Sequence, residues 1–141
     1  KVYSKKLINL VERYNLNKKV KFIQHCKEMP LAYSLADVIV SSSVEPEAFG
    51  RVSVEAQAMG KPIIASDIGG SKETVINKKT GFLYNHDDPR ELAKSLNTVI
   101  QLSSDELKSI GNEGRKNIIK KFDVEIMCQS NLKEYKKLIK N

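Results

Sequence analysis

Two glutamates, Glu47 and Glu55, flank a Phe49-Gly50 pair in the stretch EPEAFGRVSVEAQAMGKPIIASD, residues 45–67. Gly50 directly precedes a helical pattern running from Arg51 to Met59. A glycine there lets the backbone approach a ligand closely, and the first turn of the helix presents unpaired N–H groups with a partial positive charge. Such an end suits a phosphate. Glu55 follows Arg51 by four residues, about 6 Å along the helix axis, and a carboxylate so placed can accept two hydrogen bonds from a vicinal diol such as a ribose offers. Two carboxylates also allow a glycosidase-like nucleophile and acid, but the helix start between them argues against that pairing. Structural alternatives stand beside each role. Glu47 could be a solvated loop residue, and Glu55 could form an ion pair with Arg51 across one helical turn. Arg51 could equally point at a phosphate. A carboxylate flanked by apolar neighbours costs several kcal/mol when buried unpaired, so Glu55 calls for a partner or a ligand.

The elements that must position these residues alternate along the chain. Residues 2–15 carry Leu7, Leu10, Val11 and Tyr14 at helical spacing, and residues 20–24 form a short β-branched and aromatic run. Met29-Pro30-Leu31 opens a helix to about Ala36, and residues 37–43 read as a strand whose serines mark its exit from the core. The helix from Arg51 to Met59 is stopped by Gly60, and Pro62 opens a strand to Ser66. Gly69-Gly70, a short helix at 71–76, a turn and the strand 81–84 follow. Asp88 is the expected cap of the next helix, with Pro89 at its first position. Amphipathic helices over about 104–120 and 123–139 complete the pattern. Strands alternating with helices through short links predict an α/β fold, a Rossmann-like parallel sheet flanked by helices. In such a sheet, ligands bind beyond the carboxyl ends of the strands, and the loop 41–50 occupies that position.

Composition narrows the classes. The chain has 141 residues, 40% hydrophobic and 29% charged, which fits a single globular domain. No apolar run approaches the roughly 20 residues that cross a bilayer. The net charge of +7 comes mostly from lysines scattered over several segments with few aromatics among them, so solvated helix faces are favoured over a nucleic-acid site. A weak peripheral attraction to anionic lipid heads is left open. Cys26 and Cys128 have no partner at metal-ligand spacing and are expected to be reduced, buried thiols of a cytoplasmic protein. Asp87-Asp88 is better explained as a turn and cap than as a metal site.

The run Glu47-Ala48-Phe49-Gly50, then Glu55-Ala56-Gln57-Ala58-Met59-Gly60-Lys61-Pro62, then Ile63 to Asp67 and Gly69-Gly70 with Glu73, resembles the nucleotide-sugar half of family 4 (group 1) retaining glycosyltransferases of the GT-B fold. The two glutamates, with seven residues between them, match that family's E-x7-E motif, and the resemblance extends over about residues 16–98. It implies a nucleotide-diphosphate sugar as donor substrate, a glycan or lipid acceptor, cell-envelope glycan synthesis as a setting, and no metal or other cofactor. Glu55 would hold the donor's ribose hydroxyls, and Glu47, the implied catalytic residue, would contact the transferred sugar. Backbone amides of Phe49, Gly50, Arg51 and Val52 would meet sugar and diphosphate. His25 and Lys27, in the loop after the first predicted strand, match the region that meets the base.

The resemblance also implies absences. The family's N-terminal acceptor domain is not represented, and neither is the first strand and helix of the C-terminal domain, where an Arg and a Lys for the diphosphate normally stand. Residues 1–141 are thus expected to be a partial donor-binding domain, little active alone. Two other readings remain, a non-catalytic nucleotide-sugar-binding or partner-assisting module, and a phosphoacceptor receiver built on Asp67. The second lacks the acidic pair and lysine it needs.

Overall fold

The computed structural model describes residues 2–139. Three parallel strands, β1 (Ile39–Ser41), β2 (Ile63–Ser66) and β3 (Phe82–Tyr84), lie side by side in sequence order. Ile39 pairs with Ile63, and Ile64 pairs with Phe82. The period-2 alternation of a strand divides these residues between two layers. Ile63 and Ala65 face a core that holds Tyr33, Ala56 and Val75, with Ile39, Val52, Met59 and Leu83 packed against it. Ile64 and Tyr84 face the other layer, closed by Val99, Leu92, Leu96 and Leu107. All four residues of β2 are buried, as expected for the central strand of a parallel sheet.

The helices in chain order are α1 (Val2–Arg13), α2 (Met29–Ser34), α3 (Arg51–Ala58), α4 (Ser71–Thr74), α5 (Pro89–Ile100), α6 (Ser104–Phe122) and α7 (Val124–Ile139). The crossover from β1 to β2 passes through α3 and that from β2 to β3 through α4. Asp88 caps α5 as expected, accepting from the Arg90 N–H at 2.9 Å. Ser103 and Glu106 form a reciprocal capping box at the start of α6. Beyond α4 the chain turns back, and the Asn77 side-chain oxygen accepts from the backbone N–H of Leu83 at 3.1 Å, on the edge of β3 away from β2.

Some expectations need correcting. Residues 20–24 form no strand: a strand needs a hydrogen-bonded neighbour, the run has none among the described residues, and Phe22 and Ile23 stay exposed. The short helix after Gly70 ends at Thr74, because Val75 turns extended and buries its side chain in the core. Cys26 is half-buried, but Cys128 is exposed, since α7 buries none of its residues.

Ser53 and Gln57, on the polar side of α3, are fully buried. Ser53 meets Ser71 of α4, and Gln57 is covered by α6, which approaches α3 through Gly111 and Gly114. A Cβ on Gly111 would lie 2.0 Å from the Gly60 carbonyl oxygen, and one on Gly114 would touch the Gln57 side chain at 3.0 Å. Arg115 and Asn117 fix this approach with hydrogen bonds to the carbonyls of Ala58 and Thr74. The α3 helix is therefore wedged between the sheet and α6.

Candidate functional site

The site is built where β1 ends. Gly50 caps α3 in the left-handed conformation, φ 72°, which suits glycine, and it offers no side chain to the first turn. Ser53 and Val54 return their N–H groups to the Gly50 carbonyl, at 3.0 and 3.2 Å. The amides of Arg51 and Val52 are thereby left at the head of the helix for another acceptor.

The loop carrying Glu47 rests on Gly69-Gly70. The Gly70 N–H donates to the Glu47 carbonyl at 2.8 Å. A Cβ on Gly69 would stand 2.5 Å from that same carbonyl oxygen, and one on Gly70 would stand 2.3 Å from the Phe49 carbonyl carbon. Both glycines are therefore required by space. Glu47 is half-buried, and Ser43 at the exit of β1 donates its hydroxyl to Oε1. Phe49 is 44% exposed and meets the Phe122 ring edge-on, with centroids 5.7 Å apart, so the end of α6 braces the loop.

One turn into α3, Glu55 is held from two sides. Arg51 donates to Oε1 from Nε at 3.2 Å and from Nη2 at 2.9 Å. The Tyr33 hydroxyl donates to Oε2 at 2.8 Å. Burial, then hydrogen bonding to the Glu55 carboxylate, push the Tyr33 phenol up to about 12, with the nearby Arg51 charge partly opposing. Tyr33 therefore stays a donor throughout the physiological range. These residues line a cleft of about 440 Å³ together with Lys27, Met29, Pro30, Ala58 and Met59. Lys61 ties α2 to the end of α3 through the Ser34 carbonyl at 2.9 Å, which holds the two walls together.

The expected residues thus fall into two groups. Lys27, Arg51 and Glu55 share the cleft. Glu47, Phe49 and Gly50 belong to the adjoining loop over the glycine pair, and Val52 packs into the core beneath. His25 is exposed and does not line the cleft. The Arg51–Glu55 ion pair weighed from spacing is present, with Arg51 side chain 83% exposed and that of Glu55 33%. Tyr33 and Ser43 were missed. Both act across the fold or a turn, and their only trace in the sequence was a hydroxyl where an apolar residue would have served.

A parallel α/β layer with a glycine-started helix at the carboxyl ends of its strands is a layer of Rossmann type, in which ligands bind at those ends. The family described as "Glycosyl transferases group 1" matches residues 1–117. The capsular polysaccharide biosynthesis glycosyltransferase CapM of Staphylococcus aureus is 33% identical over 113 residues, 80% of this chain and 29% of that protein. A glycosyltransferase from Rickettsia africae superposes with a TM-score of 0.92 at 34% identity, over 99% of this chain and 37% of its own. HepE of Anabaena, solved in complex with UDP and glucose, superposes at 0.89 with 31% identity, over 96% of this chain and 36% of its own. The chain belongs to the group 1 glycosyltransferases of the GT-B fold, and it spans about a third of the length of these relatives.

Proposed function

We propose that the chain is the donor-binding part of a retaining glycosyltransferase that moves a hexose-like sugar from a nucleotide-diphosphate donor to a glycan or lipid acceptor. The observation that carries this reading is Glu55, fixed by Tyr33 and Arg51 at a cleft one turn from the bare head of α3. In that position it receives the ribose hydroxyls. The amides of Gly50 to Val52, with the helix dipole and Arg51, hold the diphosphate and stabilise the negative charge that develops as it leaves. Glu47, oriented by Ser43, meets the hydroxyls of the transferred sugar. Lys27, from the cleft wall, and His25, in the exposed loop beside it, are assigned to the base. Charge on the leaving group is met by these groups without a divalent ion, so EDTA leaves transfer unchanged. HepE, solved with UDP and glucose, supports a donor of this chemistry, and CapM supports a setting in cell-envelope glycan synthesis.

The test uses the full-length protein. Glu47→Ala is expected to abolish transfer while nucleotide affinity stays largely intact, and Glu55→Ala is expected to weaken nucleotide binding. Wild-type transfer in both variants refutes the assignment. A wild-type protein that binds the donor and transfers nothing to any acceptor identifies a binding module instead.

A further inference from the structure

Tyr33 lies outside the E-x7-E stretch, 22 residues before Glu55, yet it makes the one contact to Oε2 among the described residues. It is 5% exposed and anchored in the core between Ala56 and the sheet, so its hydroxyl has little freedom to move. Arg51, by contrast, is an exposed side chain and both of its contacts fall on Oε1. An ionised carboxylate has about four lone-pair sites, two on each oxygen. Oε2 therefore keeps a site open beside Tyr33, and the longer of the two Arg51 contacts on Oε1 is the one most easily given up.

From this arrangement we propose that Tyr33 is a positioning residue that sets the selectivity of the site for a ribose diol. It rests on the reading of Glu55 as the ribose holder. A guanidinium fork left alone with a carboxylate tends to take both oxygens side by side. With Tyr33 holding Oε2, Arg51 is confined to Oε1, and the carboxylate stays turned so that each oxygen can accept one hydroxyl of a vicinal diol. Without the phenol, Glu55 is free to turn onto Arg51 as a bidentate pair, and its two oxygens no longer hold the orientation in which both face the diol. The amides of the helix head and Lys27 keep their ligands, because Tyr33 bonds to neither, and Arg51 stays paired with Glu55 in both arrangements, so its share in the phosphate is the same with and without the phenol. A nucleotide lacking both ribose hydroxyls is therefore indifferent to Tyr33.

The experiment measures calorimetric binding of UDP, GDP and ADP to the full-length protein, and then of the tightest binder's 2′,3′-dideoxy counterpart. Each hydrogen bond to a charged group is worth about tenfold in affinity, so the wild type is expected to prefer the ribonucleotide by at least about tenfold. Tyr33→Phe should raise the ribonucleotide Kd by about tenfold and leave the dideoxynucleotide Kd unchanged, bringing the preference close to one. Tyr33→Met, which fills the same space flexibly and also lacks the donor, is measured in parallel in case the phenyl variant does not fold. In a Glu55→Ala background, Tyr33→Phe should change neither affinity. Two results overturn the inference: a full ribose preference in the Tyr33 variants, or an equal loss for both nucleotides, which marks a packing role only. A wild type with no ribose preference at all refutes the Glu55 assignment itself, and the inference falls with it.

Discussion

Gly70 offers the sharpest test of how the loop that carries Glu47 is held. Its backbone, φ −62° and ψ −19°, is ordinary helical geometry that any residue adopts, so only space demands a glycine. In Gly70→Ala the new Cβ would stand 2.3 Å from the Phe49 carbonyl carbon and 2.4 Å from its oxygen. Ordinary contact between carbons begins near 3.5 Å, so the Phe49 backbone must retreat by roughly 1 Å. Overpacking of this kind costs about 1–3 kcal/mol, and the stiffer unfolded chain of the alanine variant returns about 0.4–1 kcal/mol, which leaves a net loss of about 1–2 kcal/mol. The functional effect is larger. Glu47 sits two residues before Phe49 and its carbonyl accepts from Gly70, and a misplacement of about 1 Å at a reacting centre can lower a rate by about 100-fold. Denaturant unfolding, transfer kinetics and nucleotide titration on the full-length protein separate these effects. Transfer should fall by about 100-fold while the nucleotide Kd rises by about tenfold at most, because the Gly50 amide moves with the Phe49 carbonyl but Tyr33, Arg51 and Glu55 belong to α2 and α3 rather than to the loop. Wild-type kcat in a stably folded Gly70→Ala variant refutes the idea that the glycine pair positions Glu47.

Gly111→Ala should cost about 2–3 kcal/mol in denaturant unfolding, since its Cβ would meet the Gly60 carbonyl oxygen at 2.0 Å and push α6 away from α3. At low pH, Asp88 and Glu106 are the groups to watch: hydrogen bonds from Arg90 and Ser103 hold their carboxyls below the usual range. Their contribution is present above the ordinary carboxylate range and is lost as pH falls through the lowered folded values. Asp88→Asn combined with Glu106→Gln should therefore flatten the fall in unfolding midpoint below about pH 4. At high pH the sign reverses for Tyr33, whose phenol is pushed up to about 12. Its contribution is full below about pH 10 and fades as pH rises toward the folded value, so Tyr33→Phe should show a shallower alkaline loss of stability than the wild type.

Much of this structure could be read from local pattern. The runs around Ile39, Ile63 and Phe82 are short, apolar and bounded by turn residues, and each became a strand of one parallel sheet. Gly50 and Gly60 bracketed α3, and Asp88-Pro89 announced α5, because caps are decided within a few residues. The candidate site was legible to the same depth: E-x7-E placed both glutamates around a helix start. What escaped was decided at long range. Residues 20–24 have strand composition, but pairing depends on a neighbour that composition does not reveal. Gln57 reads as a surface residue until α6 covers it, although Gly111 and Gly114, three apart in a helix, were a sign that another backbone comes close. Tyr33 fitted a helical apolar face and is indeed in the core, but its hydroxyl meets a carboxylate 22 residues away.

The contact between Asn77 and the Leu83 N–H bears on how this sheet can grow. An edge strand with free backbone donors is a template for any extended segment that drifts against it. On β3 the chain's own side chain takes the outward donor at the middle of the strand, with Lys78 a residue away to discourage approach. With the order β1-β2-β3, a further strand meets less competition beside β1 than beside β3. Extension of the layer is therefore biased toward one flank. A sheet with one flank partly occupied by its own side chain is a poorer link for pairing passed from copy to copy, as an open-ended fibre requires.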